Sequence, residues 1–328
     1  MPRTRTRALL LAVVAGAVTL SVLPAPAQAA RTVRAASRPA ALAAPDQVLG
    51  LAVAGAPTDL SEIEAIEART GVDVDQVTFY RAWSLRGDFP VADADRVVAA
   101  GAVPELVWEP WDPAAGPAQP DYSLDRIVAG DYDTYLTRWA RQVRAWGQPL
   151  VIRFAHEANG DWYPWSAGVN GNTAADYRAA WRKVVSVFDK QRATNVTWLF
   201  TANVPYPGSK PLENLYPGDG VVDRVGLDGY NWGTTQSWST WQSFGDVFGP
   251  GVAELDALST KPIHVTETGA PEWAGGDKAA WITDMWAWLD THPEVSGLTW
   301  FSLAKEADWR VDSSEASLSA YAAGALGF

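Results

Sequence analysis

Eight short runs of β-branched, leucine and aromatic residues recur along this 328-residue chain, each separated from the next by a stretch with helical spacing. The strand-like runs lie near Leu49 to Ala54, Val77 to Trp83, Val103 to Trp108, Leu150 to His156, Val196 to Thr201, Arg224 to Tyr230, Ile263 to Glu267 and Leu298 to Ser302. Between them, Tyr177, Trp181, Val184, Val185 and Phe188 fall on one helical stripe, as do Trp281, Met285, Trp288 and Leu289. Thr173 with Asp176, and Asp59 with Glu62, stand where an N-cap and its reciprocal acidic partner would open such helices. Strand then helix, repeated eight times, predicts an α/β fold, a single-domain (β/α)8 barrel of the TIM type. The competing doubly wound sheet would carry a glycine-rich turn after its first strand, where this chain has Ala54-Gly55-Ala56-Pro57.

The N-terminus reads as a secretory leader over residues 1–29, with Arg3, Arg5 and Arg7, an apolar stretch from Ala8 to Leu23, and a small-residue exit at Ala27-Gln28-Ala29. The apolar stretch falls short of the roughly 20 residues that a spanning helix needs, so no membrane association is expected after cleavage. Residues 30–45, rich in Ala, Arg, Ser and Pro, predict a flexible linker, and residues 46–328 form the expected catalytic domain. This makes the expected location extracellular.

Six of the 26 Lys and Arg, and none of the 38 Asp and Glu, precede residue 46, so the expected folded part carries about −18. Such a surface repels polyphosphate and argues against nucleic acid or anionic lipid as partners, while saying nothing against a neutral polysaccharide. The chain has no cysteine, hence no disulfide framework or thiolate metal site. Its 18 Trp are far above average usage for a chain of this size; some are expected in the core, and so many suggest faces for stacking on sugars.

Catalytic groups of a barrel gather at the C-terminal ends of its strands. Glu157 ends the fourth strand within Arg153-Phe-Ala-His156-Glu157-Ala-Asn159-Gly160-Asp-Trp162, and Glu267 ends the seventh within Thr266-Glu267-Thr268-Gly269. Period two along the seventh strand puts Ile263, Val265 and Glu267 on one face, read as the barrel interior, and His264 on the other, beneath a helix. Glu109, Asp228 and Glu272 are rival carboxylates, of which Glu109, between Trp108 and Trp111, is the best placed. Other chemistries fit less well. His156-Glu157 opens like a zinc-protease motif, but Gly160 stands where the second His belongs. A Gly-x-Ser-x-Gly elbow and a phosphate-cradling loop are both missing. Two carboxylates meeting at one rim are the equipment for cleaving a glycosidic bond.

Arg153-x-x-His156-Glu157-x-Asn159-Gly160-x-Trp162 resembles the acid/base signature of glycoside hydrolase family 26, and Glu267-Thr268-Gly269 resembles its nucleophile segment. Gly229-Tyr230-Asn231-Trp232, Trp300-Phe301 and Asp308-Trp309-Arg310 extend the likeness over Leu49 to Arg310. The resemblance implies a retaining, endo-acting, monomeric barrel enzyme needing neither metal nor cofactor, with Glu157 as acid/base and Glu267 as nucleophile. It implies β-1,4-mannan as the leading substrate, with mixed-linkage β-1,3-1,4-glucan or β-1,3-xylan as alternatives. Tyr230 is then expected to donate to Glu267, and His156, Asn159, Arg153, Trp162, Trp232, Trp300 and Glu109 are expected to line the substrate site. One departure stands out: mannanases of the family often carry a His-containing segment after the third strand, where this chain has Trp108-Glu109-Pro110-Trp111. A non-catalytic polysaccharide-binding barrel is the alternative of another class.

Overall fold

The computed structural model describes residues 47–328; the expected leader and linker lie outside the described residues. Eight strands, β1 (Val48–Val53), β2 (Gln76–Ala82), β3 (Val103–Glu109), β4 (Leu150–Phe154), β5 (Val196–Asn203), β6 (Arg224–Asp228), β7 (Ile263–Thr268) and β8 (Val295–Ser302), close into one parallel barrel in sequence order. The helices α1 (Ser61–Thr70), α2 (Val91–Ala99), α3 (Leu124–Ala129), α4 (Asp133–Trp146), α5 (Ala174–Gln191), α6 (Leu212–Leu215), α7 (Phe244–Leu258), α8 (Lys278–Leu289) and α9 (Glu315–Ala325) occupy the connections and the C-terminus. The expected (β/α)8 barrel is thus the observed fold.

Two cores follow from strand alternation. Outward residues such as Leu51, Phe79, Trp108, Phe154, Trp198, Leu227, Val265 and Trp300 are buried against the helices, among them the α5 residues Trp181 and Phe188. The inward positions are polar: Gln76, Glu105, Arg153 and Asp228 bond to one another across the lumen. Those bonds fix the lumen side of each strand, and they correct the reading of β7. Thr266 bonds Asp228 inside the barrel, and His264, two residues earlier, lies against Gly226 and Gly297 of the neighbouring strands. Ile263 and Val265 instead join the outer core. Glu267 still reaches the lumen because β7 shifts register between Val265 and Thr268, reversing the alternation at its last residues.

The helix starts follow the sequence at α5, where Thr173 and Asp176 form a complete capping box, and Ser243 with Asp246 does the same for α7. At α1 the expected box does not close. Asp59 accepts from the Ser61 amide, and Leu60 stands at the cap without a side-chain bond. Among the described residues no helix is long and apolar enough to cross a membrane.

Candidate active site

The segment after β4 is folded tightly enough to force unusual backbone. Ala155 and Glu157 take φ values of 48° and 53°, a left-handed conformation that non-glycine residues adopt at a cost. Three contacts hold it there: Tyr177 Oη donates to the Ala155 carbonyl, Trp165 Nε1 to the His156 carbonyl, and the Glu157 amide to the Thr201 carbonyl on β5. The Glu157 side chain is thereby turned to the C-terminal mouth of the barrel, where it is only 8% exposed. Trp162 Nε1 donates to its Oε2 at 2.8 Å. Gly160 makes room for this, since a Cβ there would lie 2.6 Å from the Trp162 ring. Burial first, and then the charge of Glu267, push the Glu157 carboxyl up to about 8, with the Trp162 bond acting in the opposite direction.

Glu267 is surrounded by donors from three other strands or strand ends. Tyr80 Oη of β2 reaches Oε1 at 2.6 Å, Arg153 Nη2 of β4 reaches the same oxygen at 2.9 Å, and Tyr230 Oη, just past β6, reaches Oε2 at 2.7 Å. Burial, followed by the Glu267 charge, holds the Tyr230 phenol well above its usual range, so it remains a donor. Beneath them Arg153, with no exposed surface, also binds both oxygens of Asp228 at 2.8 and 2.6 Å and Glu105 at 3.1 Å. Burial raises both Glu105 and Asp228, and the Arg153 charge opposes it at each. His156, Asp228 and Glu267 offer potential metal-ligand atoms within 4.8 Å of one another. Arg153 Nη2 is bonded to both of those carboxylates, so a guanidinium already fills the role a metal cation would have there.

The other expected site residues divide into three groups. Trp162 and Trp232 keep surface at the mouth: Trp162 is 37% exposed and stacks on Tyr206 with centroids 5.8 Å apart, and half-buried Trp232 lies against Trp309. Glu109, at the end of β3, points into the same mouth, and burial and then the Glu267 charge raise it to about 7. His156 is buried with Nε2 3.0 Å from Tyr163 Oη, and burial followed by the Arg153 charge drives its pKa well down, leaving a neutral imidazole.

The structure relocates three expected substrate contacts. Asn159 is 1% exposed and spends its amide on the Asn203 backbone in both directions, tying the β4 loop to the end of β5. Arg153 lies beneath Glu267 and has no surface to offer a sugar. Trp300 is wholly buried, facing Trp281 of α8 and Tyr321 of α9, with Nε1 donating to the Trp309 carbonyl. The inward member of that pair is Phe301, which meets both Tyr80 and Tyr230 edge-on. Tyr80 itself escaped the sequence reading, although it lies on the lumen side of β2, in phase with Gln76 and Thr78.

The model for glycosyl hydrolase family 26 matches residues 61–258. The chain is 39% identical to Endoglucanase H of Acetivibrio thermocellus over 80% of this chain and 28% of that protein. It is 32% identical to a protein of Caldalkalibacillus mannanilyticus named mannan endo-1,4-β-mannosidase A and B, over 40% of this chain and 23% of that one. It thus spans about a quarter of the length of either relative. Among solved structures, the catalytic domain of an endo-β-1,4-mannanase from Bacillus sp. JAMB-750 superposes with a TM-score of 0.65 at 18% identity, covering 85% of each chain, a likeness of fold. With the family model covering more than half of its residues, this chain belongs to glycosyl hydrolase family 26.

Proposed function

We propose that this protein is a secreted, retaining endo-β-glycanase that cleaves by double displacement, with Glu157 as general acid/base and Glu267 as nucleophile. The observation that carries the reading is the unequal treatment of two carboxyls at one barrel mouth: Glu157 is pushed up to about 8 while Glu267 receives three hydrogen bonds. In the first step Glu267 attacks the anomeric carbon as Glu157 gives its proton to the departing glycosidic oxygen, and the C–O bond breaks. Forming the glycosyl ester removes the negative charge beside Glu157, which lowers its pKa and readies it as a base. Glu157 then takes a proton from water, the water oxygen bonds to the anomeric carbon, and Glu267 leaves as a carboxylate.

For substrate, β-glucan with β-1,3-1,4 linkages takes first place and β-1,4-mannan second, reversing the order expected from the family resemblance. The endoglucanase relative aligns over twice as much of this chain as the mannan-cleaving one. The acidic Glu109 at the mouth, in place of a His-containing segment, points the same way. The test is reducing-sugar release from lichenan, mannan, β-1,3-xylan and carboxymethylcellulose, with NMR of the first-formed anomer. Lichenan is expected to be cleaved fastest, with β-configured product, and Glu267→Ala is expected to abolish release. An α-configured product would remove the double displacement, and no release from any polymer would favour a sugar-binding barrel without activity.

A further inference from the structure

Between β6 and α7, the chain from 231 to 242 leaves the barrel and returns to nearly the same point. Asn231, fully buried, closes the neck of this loop: Oδ1 accepts from the Gly233 and Gln242 amides, and Nδ2 donates to the Gln242 carbonyl. Thr235 Oγ1 donates to the Trp232 carbonyl, and the Thr234 amide donates to the Ala274 carbonyl of the next βα loop, which pins the outer part as well. A compact loop bound by its own polar groups is a rigid mount. What it mounts is Trp238, 70% exposed, with its ring 5.5 Å from that of Trp232.

The aromatic contacts continue inward. Trp232 lies 4.9 Å from Trp309, Trp309 lies 4.9 Å from Tyr230, and Tyr230 bonds Glu267. A single exposed Trp on a surface needs no explanation. An exposed Trp on a rigid loop, joined by ring contacts to the tyrosine on the nucleophile, is a different matter, because a chain of sugars leaving the reacting centre on that side would meet half-buried Trp232 and then Trp238, with the buried Trp309 packed behind them. On the other side of the mouth, the Glu157 side, Trp162 with Tyr206 forms a separate aromatic wall.

We propose that Trp238, backed by Trp232, is a distal binding platform for a further sugar of the β-glucan chain, on the Glu267 side of the cleft. The proposal rests on the β-glycanase reading above and adds where substrate length is sensed. An aromatic face takes up the apolar C–H side of a pyranose without selecting among its hydroxyl configurations, so the platform strengthens binding of long chains rather than choosing the sugar.

The experiment uses Trp238→Ala, Trp238→Phe and Trp273→Ala. Trp273, 85% exposed on the neighbouring βα loop and without a ring contact among the described residues, is the control for general loss of surface apolarity. Trp238→Ala is expected to raise KM on lichenan by about fivefold to tenfold, the range that one aromatic face contact supplies. It should leave kcat nearly unchanged and leave kcat/KM on a trisaccharide as in the wild type, with Phe restoring most of the loss and Trp273→Ala behaving as wild type. Equal losses on short and long substrates, no change on lichenan, or an equal effect of Trp273→Ala would overturn the platform. To separate this from failure of the enzymatic reading, the same substitutions are made in the Glu267→Ala background and binding of long and short gluco-oligosaccharides is measured by calorimetry. There the length-dependent loss must appear whether or not the wild type hydrolyses anything.

Discussion

Glu157 is held in a strained backbone, buried, and bonded to a single side-chain donor, so its ionisation responds to small changes around it. The sign of one such change is fixed. The Trp162 bond favours the charged carboxylate, and its removal by Trp162→Phe keeps the apolar cover while taking the donor away. The alkaline limb of the pH–rate profile, expected near 8 as the general acid loses its proton, should therefore move to higher pH in this variant; a limb that moves down would contradict the assignment of Glu157. The two glutamates were legible in the sequence because each follows a strand and precedes a glycine that permits close approach. Tyr80 was not, since a tyrosine within a strand has the same local signature whether it faces a core or a carboxylate. Asn159 and Trp300 were misplaced for a related reason: residue type indicates what a side chain can bind, and only the packed barrel shows that both were already engaged.

At the level of elements, Arg153 links β3, β6 and β7 through Glu105, Asp228 and Glu267. Three buried carboxyls around one guanidinium leave little tolerance for its loss. Arg153→Gln is expected to lower the unfolding free energy by about 3–5 kcal/mol, as removal of one partner from a buried ion pair does, in addition to reducing activity. Urea denaturation checks it, and a loss below about 1 kcal/mol, the level of an exposed pair, would mean that the cluster is solvated. The strand order and the α5 capping box could be read directly, because both depend on local pattern. The inward turn of Glu267 could not be derived correctly. It depends on a register shift in β7, set by pairing with β8, and nothing in Ile263-His264-Val265-Thr266 marks it.

For the molecule as a whole, the excess of acid in residues 46–328 acts at long range on any charged polymer that approaches. Carboxymethylated glucan should accordingly be a poorer substrate than the unsubstituted polymer at low ionic strength, with the gap narrowing as salt is added, while the rate on neutral glucan stays flat. Initial rates across a salt series decide this, and an equal salt response of the two polymers would remove charge from the explanation. The barrel also divides its labour by depth. Glu267 is oriented by Tyr80, Arg153 and Tyr230, all anchored in or directly beside strands, and by nothing from the 233–241 stretch. Grafting a different segment between Trp232 and Gln242 can therefore retune how firmly long polymers are gripped without disturbing the bond-breaking centre. The stretch bearing Trp162 offers no such freedom, because its indole is wired to the acid.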